Sequence, residues 1–180
     1  MIEVEKKYEV SRQQFDNIYT KIARRGDYLG TEVLTDLIFN ITKVAKGYNF
    51  DRIRLKSMPG SNLKNIPENS PELERKEWNG DNRIERPIEY VEVSKSRITY
   101  DLGSYKVMLD HFKERCFIEI EMLTDNPEEV PNLEDKIVKI AKELIDGELI
   151  KAPSYLSMAL DNRKLVEDIL GDQTLIITVC

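Results

Sequence analysis

Cysteine, histidine and long apolar runs are scarce in this 180-residue chain, and each shortage excludes a class of protein. The two cysteines, Cys116 and Cys180, lie far apart, which excludes a disulfide scaffold and a cysteine-ligated zinc site and makes a reducing cytoplasm the expected compartment. The single histidine, His111, forms no metal cluster and is predicted to lie at the surface. No run of eighteen apolar residues and no signal-peptide pattern occurs, so no membrane association is predicted.

Glycine-rich phosphate loops are also missing. The eight glycines are scattered and form neither G-x-x-x-x-G-K nor G-x-G-x-x-G. The net charge is −6, with +3 in residues 43–115 and −8 in residues 116–180. An acidic chain with a basic middle is not expected to bind nucleic acid, but it allows a local anion site. Any phosphate is then expected to be bound by side chains rather than by a backbone loop.

The apolar pattern predicts one α+β domain over residues 1–180. Its connections are too short for parallel crossovers, so the predicted sheet is antiparallel. The predicted strands cover 2–10, 33–40, 48–56, 72–78, 83–93, 95–100, 105–110 and 116–123. Three helices are predicted. The first begins at Ser11, which forms a capping box with Gln14, and the other two cover 131–146 and 154–169. Residues 57–71 are predicted to form a loop.

Like charges recur at alternate positions of several predicted strands, and alternate residues share a face of a sheet. Two pairs are acidic and two sets are basic: Glu3 with Glu5, Glu119 with Glu121, Arg52 with Arg54 and Lys56, and Lys95 with Arg97. A solvated outer face explains any one strand, because such faces are common in antiparallel sheets. The whole set favours a bound metal–polyphosphate, since a cation would neutralise the carboxylates and phosphates would neutralise the basic groups.

The opening Glu3-Val4-Glu5-Lys6-Lys7 resembles the E-x-E-x-K motif of the CYTH proteins, the triphosphate tunnel metalloenzymes. Later segments resemble further motifs of that family in the same order. They are Asp36–Asn40, Arg52–Lys56, Lys76, Arg83–Ile88, Lys95–Arg97, Val107–Asp110, Glu119–Glu121 and Ser154-Tyr155.

The resemblance implies a closed antiparallel barrel of eight strands, with a charged lumen as the active site and helices packed outside. It implies Mg²⁺ or Mn²⁺ as the cofactor, with the ligands Glu3, Glu5, Asp110, Glu119 and Glu121. It implies a substrate-binding set of Lys7, Arg52, Arg54, Lys76, Glu85, Lys95 and Arg97. It further implies catalytic roles for Glu5, Glu119 and Lys7.

The activity expected from the resemblance is hydrolysis of a small-molecule triphosphate with release of phosphate. Inorganic tripolyphosphate, thiamine triphosphate and nucleoside triphosphates all stay open as substrates. The alternative is a class IV adenylyl cyclase that makes cyclic AMP and pyrophosphate from ATP. A third possibility is a non-catalytic polyphosphate- or nucleotide-binding module. The chain is expected to be a monomer or a homodimer.

Overall fold

The computed structural model of the chain describes residues 1–44, 47–57 and 91–161. The chain divides into two compact units. The first consists of Met1–Thr31 and Ser96–Ala152, and the second of Glu32–Lys95 and Pro153–Cys180. The single domain over residues 1–180 stays a prediction. None of the described helices is long and apolar enough to cross a membrane.

Strands dominate the described residues. They are β1 (Ile2–Val10), β2 (Asp27–Val44), β3 (Gly47–Ser57), β4 (Val91–Asp101), β5 (Lys106–Phe112), β6 (Arg115–Thr124) and β7 (Ile150–Lys151). The helices are α1 (Arg12–Ala23), α2 (Val130–Leu144), which follows a 3₁₀ turn at Pro127–Glu129, and α3, which begins at residue 155 and is described to residue 161.

The seven strands form one sheet in the order β3-β2-β4-β5-β6-β1-β7. Every pairing whose register is described is antiparallel, which confirms the predicted α+β class and strand direction. The sheet as described is not closed and has seven strands, where the resemblance implied a closed barrel of eight. The predicted strand at 72–78 and most of that at 83–93 lie outside the described residues, as do the loop after Ser57 and the chain beyond residue 161.

Helix α1 begins as predicted. The Ser11 hydroxyl accepts a hydrogen bond from the backbone N–H of Gln14, and the Gln14 side chain accepts one from the backbone N–H of Ser11. This reciprocal pair satisfies two of the donors that a helix start leaves unpaired. The apolar residues of α1 recur every three or four positions, so Phe15, Ile18 and Ile22 are buried on one face.

Helix α2 carries the second apolar stripe that the sequence predicts. Leu133, Ile137, Ala141 and Leu144 are buried, and Pro131 occupies the first turn, where its missing N–H costs no hydrogen bond. This stripe and the buried face of α1 belong to one hydrophobic core with residues of β1, β4, β5 and β6. The core fixes which face of those strands is turned toward the helices.

Alternation along β1 separates the core from a polar face. Val4, Tyr8 and Val10 are buried in the hydrophobic core, so the intervening Glu3 and Glu5 lie on the opposite face. In β6, Ile118, Ile120 and Met122 belong to the core, while Glu119 and Glu121 alternate with them. The alternating pattern predicted for both strands is therefore confirmed, and the carboxylates share the face away from the helices.

Several element boundaries differ from the prediction. Strand β2 begins at Asp27 rather than at residue 33, and it contains an irregularity between Phe39 and Thr42, where Asn40 has φ of 51°. Strand β4 runs without a break from Val91, so the described end of the predicted 83–93 strand is continuous with 95–100. The short strand β7, which pairs with β1, was not predicted because two residues carry no periodicity.

His111 is half-buried, not at the surface as predicted. Its ring lies 4.3 Å from the ring of Phe15, between centroids, and its Nε2 is 3.3 Å from Nη1 of Arg12. Its Nδ1 is 3.5 Å from the sulfur of Cys116, which is buried as the sequence predicts. Strand alternation places His111 on the helix-facing side of β5, and this side is covered by α1.

Candidate active site

The pairing of β1 with β6 brings four carboxylates together in the first unit. Glu5 is the register partner of Glu121, and Lys7 is the partner of Glu119, while Glu3 lies one alternate position before Glu5. Directly opposed residues of antiparallel strands share a face, with Cβ atoms about 5 Å apart. Glu3, Glu5, Glu119 and Glu121 are called the carboxylate cluster below.

Crowding in the carboxylate cluster changes the protonation of Glu5. A hydrogen bond with Glu119 is the largest cause that raises the pKa of Glu5 from 4.5 to about 8, followed by loss of hydration and repulsion from Glu119 and Glu3. Burial and the charge of Glu3 also raise the pKa of Glu121, against the opposing effect of Lys106. The Lys106 Nζ lies 3.6 Å from Glu121 Oε1. Without an added cation, the cluster therefore keeps a proton that isolated carboxylates would lose.

Arg97 joins this cluster to Asp110. Its Nε donates to Asp110 Oδ1 at 2.7 Å and its Nη2 to Asp110 Oδ2 at 2.6 Å, and the same Nη2 donates to Glu119 Oε2 at 2.7 Å. Asp110 is 0% exposed and Glu119 is 8% exposed. A solvated outer face, which the sequence left open, is therefore ruled out at these positions, although Glu3 and Glu5 are exposed.

The carboxylate cluster suits a hard divalent cation in the chemistry of its donors, because Mg²⁺ and Mn²⁺ prefer carboxylate oxygens. Among residues 1–44, 47–57 and 91–161, however, no three acidic, histidine or cysteine side chains are arranged to hold a metal ion as they stand. Two features oppose that arrangement: Glu119 accepts a hydrogen bond from Arg97, and the raised pKa of Glu5, caused chiefly by its hydrogen bond with Glu119, favours the protonated acid. Cation binding by this donor set would require Glu5 to lose its proton and Glu119 to change partner.

The second unit contains a separate basic group on β3. Arg52, Arg54 and Lys56 share one face, because their register partners on β2 are Ile38, Asp36 and Leu34. The guanidinium of Arg54 binds both oxygens of Asp36, with Nε–Oδ1 at 2.7 Å and Nη2–Oδ2 at 2.8 Å. The Arg52 Nη1 lies 3.8 Å from Asp36 Oδ2. One carboxylate therefore orients Arg54 and also forms an ion pair with Arg52.

Lys95, also in the second unit, is 6% exposed and contacts an aromatic ring. Its Nζ lies 4.3 Å from the ring centroid of Tyr155, the first residue of α3. A buried ammonium above an aromatic face gains electrostatic attraction from the ring. The Ser154 hydroxyl accepts a hydrogen bond from the backbone N–H of Ser157 and so caps this start of α3.

The structure thus assigns the predicted site residues to two groups. Lys76 and Glu85 lie outside the described residues. The first unit contains Glu3, Glu5, Lys7, Arg97, Asp110, Glu119 and Glu121. The second unit contains Arg52, Arg54 and Lys95. The metal and substrate roles of all these residues stay predictions.

Three further side chains contact the predicted set. Asp36 binds Arg54, Lys106 lies beside Glu121, and Tyr155 contacts Lys95. The sequence marked Asp36 and Tyr155 as parts of family-like segments but gave neither a binding role. For Lys106 the missing information was register, because its contact depends on its pairing with Glu121 across β5 and β6.

Comparison with known proteins connects this arrangement to a family. In the comparison with curated proteins, no relative matches. Among solved structures, the PH1819 protein from Pyrococcus horikoshii OT3 is 21% identical with a TM-score of 0.60, over 90% of this chain and 100% of that one. A conserved hypothetical protein from Pyrococcus furiosus is 20% identical with a TM-score of 0.55, over 87% and 99%.

A third solved structure is that of a Vibrio parahaemolyticus protein described provisionally as an adenylate cyclase. It is 14% identical with a TM-score of 0.51, over 89% of this chain and 98% of that one. At these identities the three likenesses show a shared fold. The family model of the CYTH domain matches residues 1–156, which contain both the carboxylates of β1 and β6 and the basic residues of β3 and β4. The chain therefore belongs to the CYTH domain family.

Proposed function

We propose that this protein is a divalent-cation-dependent triphosphatase that hydrolyses a small-molecule triphosphate and releases phosphate. The observation that carries the proposal is the carboxylate cluster, in which a hydrogen bond with Glu119, loss of hydration and repulsion between carboxylates raise the pKa of Glu5 to about 8. Carboxylates crowded in this way gain most from a divalent cation, which would displace the proton of Glu5. Membership of the CYTH family supports the same reaction class.

Glu3, Glu5, Glu119 and Glu121 would hold the cation in this proposal. When bound, Mg²⁺ or Mn²⁺ would polarise phosphoryl oxygens and neutralise their charge, which is its usual contribution to phosphoryl transfer. Glu5 and Glu119 would also be placed to orient the attacking water, since carboxylates accept hydrogen bonds from water. Lys7, the register partner of Glu119, would supply a positive charge beside that carboxylate.

The basic residues would bind the phosphate chain. Both oxygens of Asp36 bind Arg54 and fix the plane of its guanidinium group, and the same carboxylate forms an ion pair with Arg52. Fixed guanidinium groups bind phosphate oxygens in pairs and disperse the negative charge that develops in the transition state. Lys95 would add a point charge. Hydrolysis needs little more than this positioning and charge neutralisation.

The test is a product assay with three substrates. Tripolyphosphate, ATP and thiamine triphosphate are each incubated with Mg²⁺, with Mn²⁺, or with EDTA. Cation-dependent release of phosphate is the expected result. Cyclic AMP with pyrophosphate from ATP would instead indicate an adenylyl cyclase. Saturable binding of a triphosphate without any product would indicate a binding module, and either outcome contradicts the proposed hydrolysis.

Two variants of the same strand separate the proposed role of Glu5 from a general effect on β1. Glu5→Gln is expected to lower kcat about 100-fold at saturating Mn²⁺, because it removes one cation ligand and its charge. Glu9 lies on the same strand and accepts a hydrogen bond from Arg115. The activity of Glu9→Gln should therefore stay within about threefold of wild type. Full activity of Glu5→Gln would contradict the metal role.

A further inference from the structure

The guanidinium of Arg97 lies between two carboxylates on the two neighbouring strands. Arg97 on β4 is the register partner of Asp110 on β5, and β5 in turn pairs with β6, which carries Glu119. The Nη2 atom of Arg97 is 2.6 Å from Asp110 Oδ2 and 2.7 Å from Glu119 Oε2. One donor atom is therefore shared between a carboxylate outside the carboxylate cluster and one inside it.

The two carboxylates differ in how they meet Arg97. Asp110 is fully buried, and each of its oxygens accepts a short hydrogen bond from the guanidinium, in the parallel geometry that Arg and carboxylate prefer. Glu119 accepts a hydrogen bond from Arg97 Nη2, the same atom that donates to Asp110 Oδ2. Breaking the buried, bidentate Arg97–Asp110 pair would leave the Asp110 carboxylate buried without its counter-charge, which costs more free energy than breaking one hydrogen bond to Glu119. The Arg97–Asp110 contact is therefore the stronger of the two.

The difference has a consequence for cation binding. A divalent cation bound by Glu119 competes with Arg97 for this carboxylate, because Arg97 already donates a hydrogen bond to Glu119 Oε2 and both groups are positively charged. Asp110 lowers the effective charge that Arg97 presents to Glu119 and keeps the guanidinium in place when Glu119 moves away. Because both of its carboxylate oxygens accept hydrogen bonds from Arg97, Asp110 acts as the partner of Arg97 and not as a ligand of the cation.

We propose that Asp110 is a positioning residue, and that Arg97 is the internal counter-cation that Glu119 exchanges for the divalent cation. This inference rests on the proposed cation site. It assigns to Asp110 and Arg97 roles different from the metal and substrate contacts that the family resemblance implied. When the cation replaces Arg97 at Glu119, Asp110 still binds Arg97 and keeps its guanidinium in place.

A single and a double variant are expected to change the affinity for Mn²⁺ in different ways. In Asp110→Asn, Arg97 loses its bidentate carboxylate partner and acts with more of its charge on Glu119, so Mn²⁺ affinity should fall about tenfold. In Arg97→Gln/Asp110→Asn, the competitor and its counter-ion are both absent, so Mn²⁺ should bind as tightly as in wild type or more tightly. If Asp110 instead binds the cation directly, Mn²⁺ should bind about tenfold more weakly in both variants.

The experiment is a Mn²⁺ titration of the 180-residue chain without substrate, in which the EPR signal of free Mn²⁺ is measured. Thermal unfolding in EDTA reports on folding independently. A matched control is Glu9→Gln/Arg115→Gln, which also removes one acid and one base from a bidentate pair of the first unit. This control should bind Mn²⁺ like wild type.

Each outcome decides the inference. A double variant that binds Mn²⁺ at least as tightly as wild type supports the inference. Should Asp110→Asn fail to fold, the result with the double variant is sufficient to test the inference. A double variant that binds about tenfold more weakly would overturn it, as would wild-type affinity in a folded Asp110→Asn. Absence of Mn²⁺ binding in wild type would overturn both the inference and the proposed function, whereas the other negative results leave the proposed function intact.

Discussion

Glu5 and Glu119 share a hydrogen bond within a group of carboxylates, and this contact is the main cause of the raised pKa of Glu5. The two residues lie on adjacent strands, two residues out of direct register, since the partner of Glu5 is Glu121 and the partner of Glu119 is Lys7. Below about pH 8, protonation of Glu5 thus relieves the repulsion that a bound cation could otherwise relieve. This competition makes the site sensitive to pH and to charge-neutral substitution.

Glu5→Gln should stabilise the metal-free protein in alkaline solution. The pKa of Glu5 is raised from 4.5 to about 8 in the folded state, so the folded state binds this proton more tightly than the unfolded state does. The stability that the proton provides is fully present below pH 4.5 and is lost as the pH rises through about 8. A neutral glutamine removes this loss.

The measurement is the melting temperature in EDTA across that pH range. Wild type should lose stability toward pH 8 by more than Glu5→Gln does, so that the variant melts at the higher temperature above pH 8. Glu9→Gln provides the control, because Arg115 lowers the pKa of Glu9 and its stabilising effect is present at alkaline pH. Parallel pH profiles of wild type and Glu5→Gln would contradict the prediction.

Arg54→Ala should weaken substrate binding. Arg54 is held by both oxygens of Asp36, and its loss removes an oriented guanidinium from the basic face of β3. The KM for tripolyphosphate is expected to rise about tenfold, with a smaller change in kcat. Arg115→Ala, at an exposed arginine that binds Glu9, should leave KM unchanged. An unchanged KM in a folded Arg54→Ala would disprove the phosphate contact.

The ring of Tyr155 should matter more than its hydroxyl for Lys95. The Lys95 Nζ lies 4.3 Å from the ring centroid, so Tyr155→Phe keeps the aromatic face, whereas Tyr155→Leu removes it. A lost cation–π contact corresponds to a rise of about threefold in KM for tripolyphosphate in Tyr155→Leu. Steady-state kinetics of the two variants provide the comparison, and equal KM values would show that the ring does not orient Lys95.

Gly26→Ala should destabilise the first unit. A Cβ at position 26 would lie 2.9 Å from the backbone oxygen of Asp101 and 3.1 Å from Cγ of Leu102. Backbone of β4 cannot move away without disturbing its pairing with β5, so the free energy of unfolding should fall by about 1–3 kcal/mol. Urea denaturation followed by circular dichroism gives this value. A stability equal to wild type would mean that the segment shifts freely.

Much of the first unit could be predicted from local pattern. The alternation of Glu3 and Glu5 with Val4, and the capping residues Ser11 and Gln14, follow rules that act within a few residues. The separation of core and polar faces depended on these rules alone.

What could not be predicted depends on pairing between strands. The contact of Arg97 with Asp110 follows from the register of β4 and β5, and that of Lys106 with Glu121 from the register of β5 and β6. Alternation gives the face of a residue but not its neighbour on the next strand. The half-buried position of His111 was missed for the same reason, since its cover is the ring of Phe15 on α1.

The strict division of β1 between two faces has an evolutionary consequence. Deleting or inserting one residue between Ile2 and Val10 would transfer Glu3 and Glu5 to the side of the helices and expel Val4 from it, because the period of a strand is two. Single-residue length changes in this strand should thus be lethal to the fold even where many point substitutions are tolerated. Variation among functional descendants of this chain would accumulate by replacement in β1, and length variation would be confined to the connections.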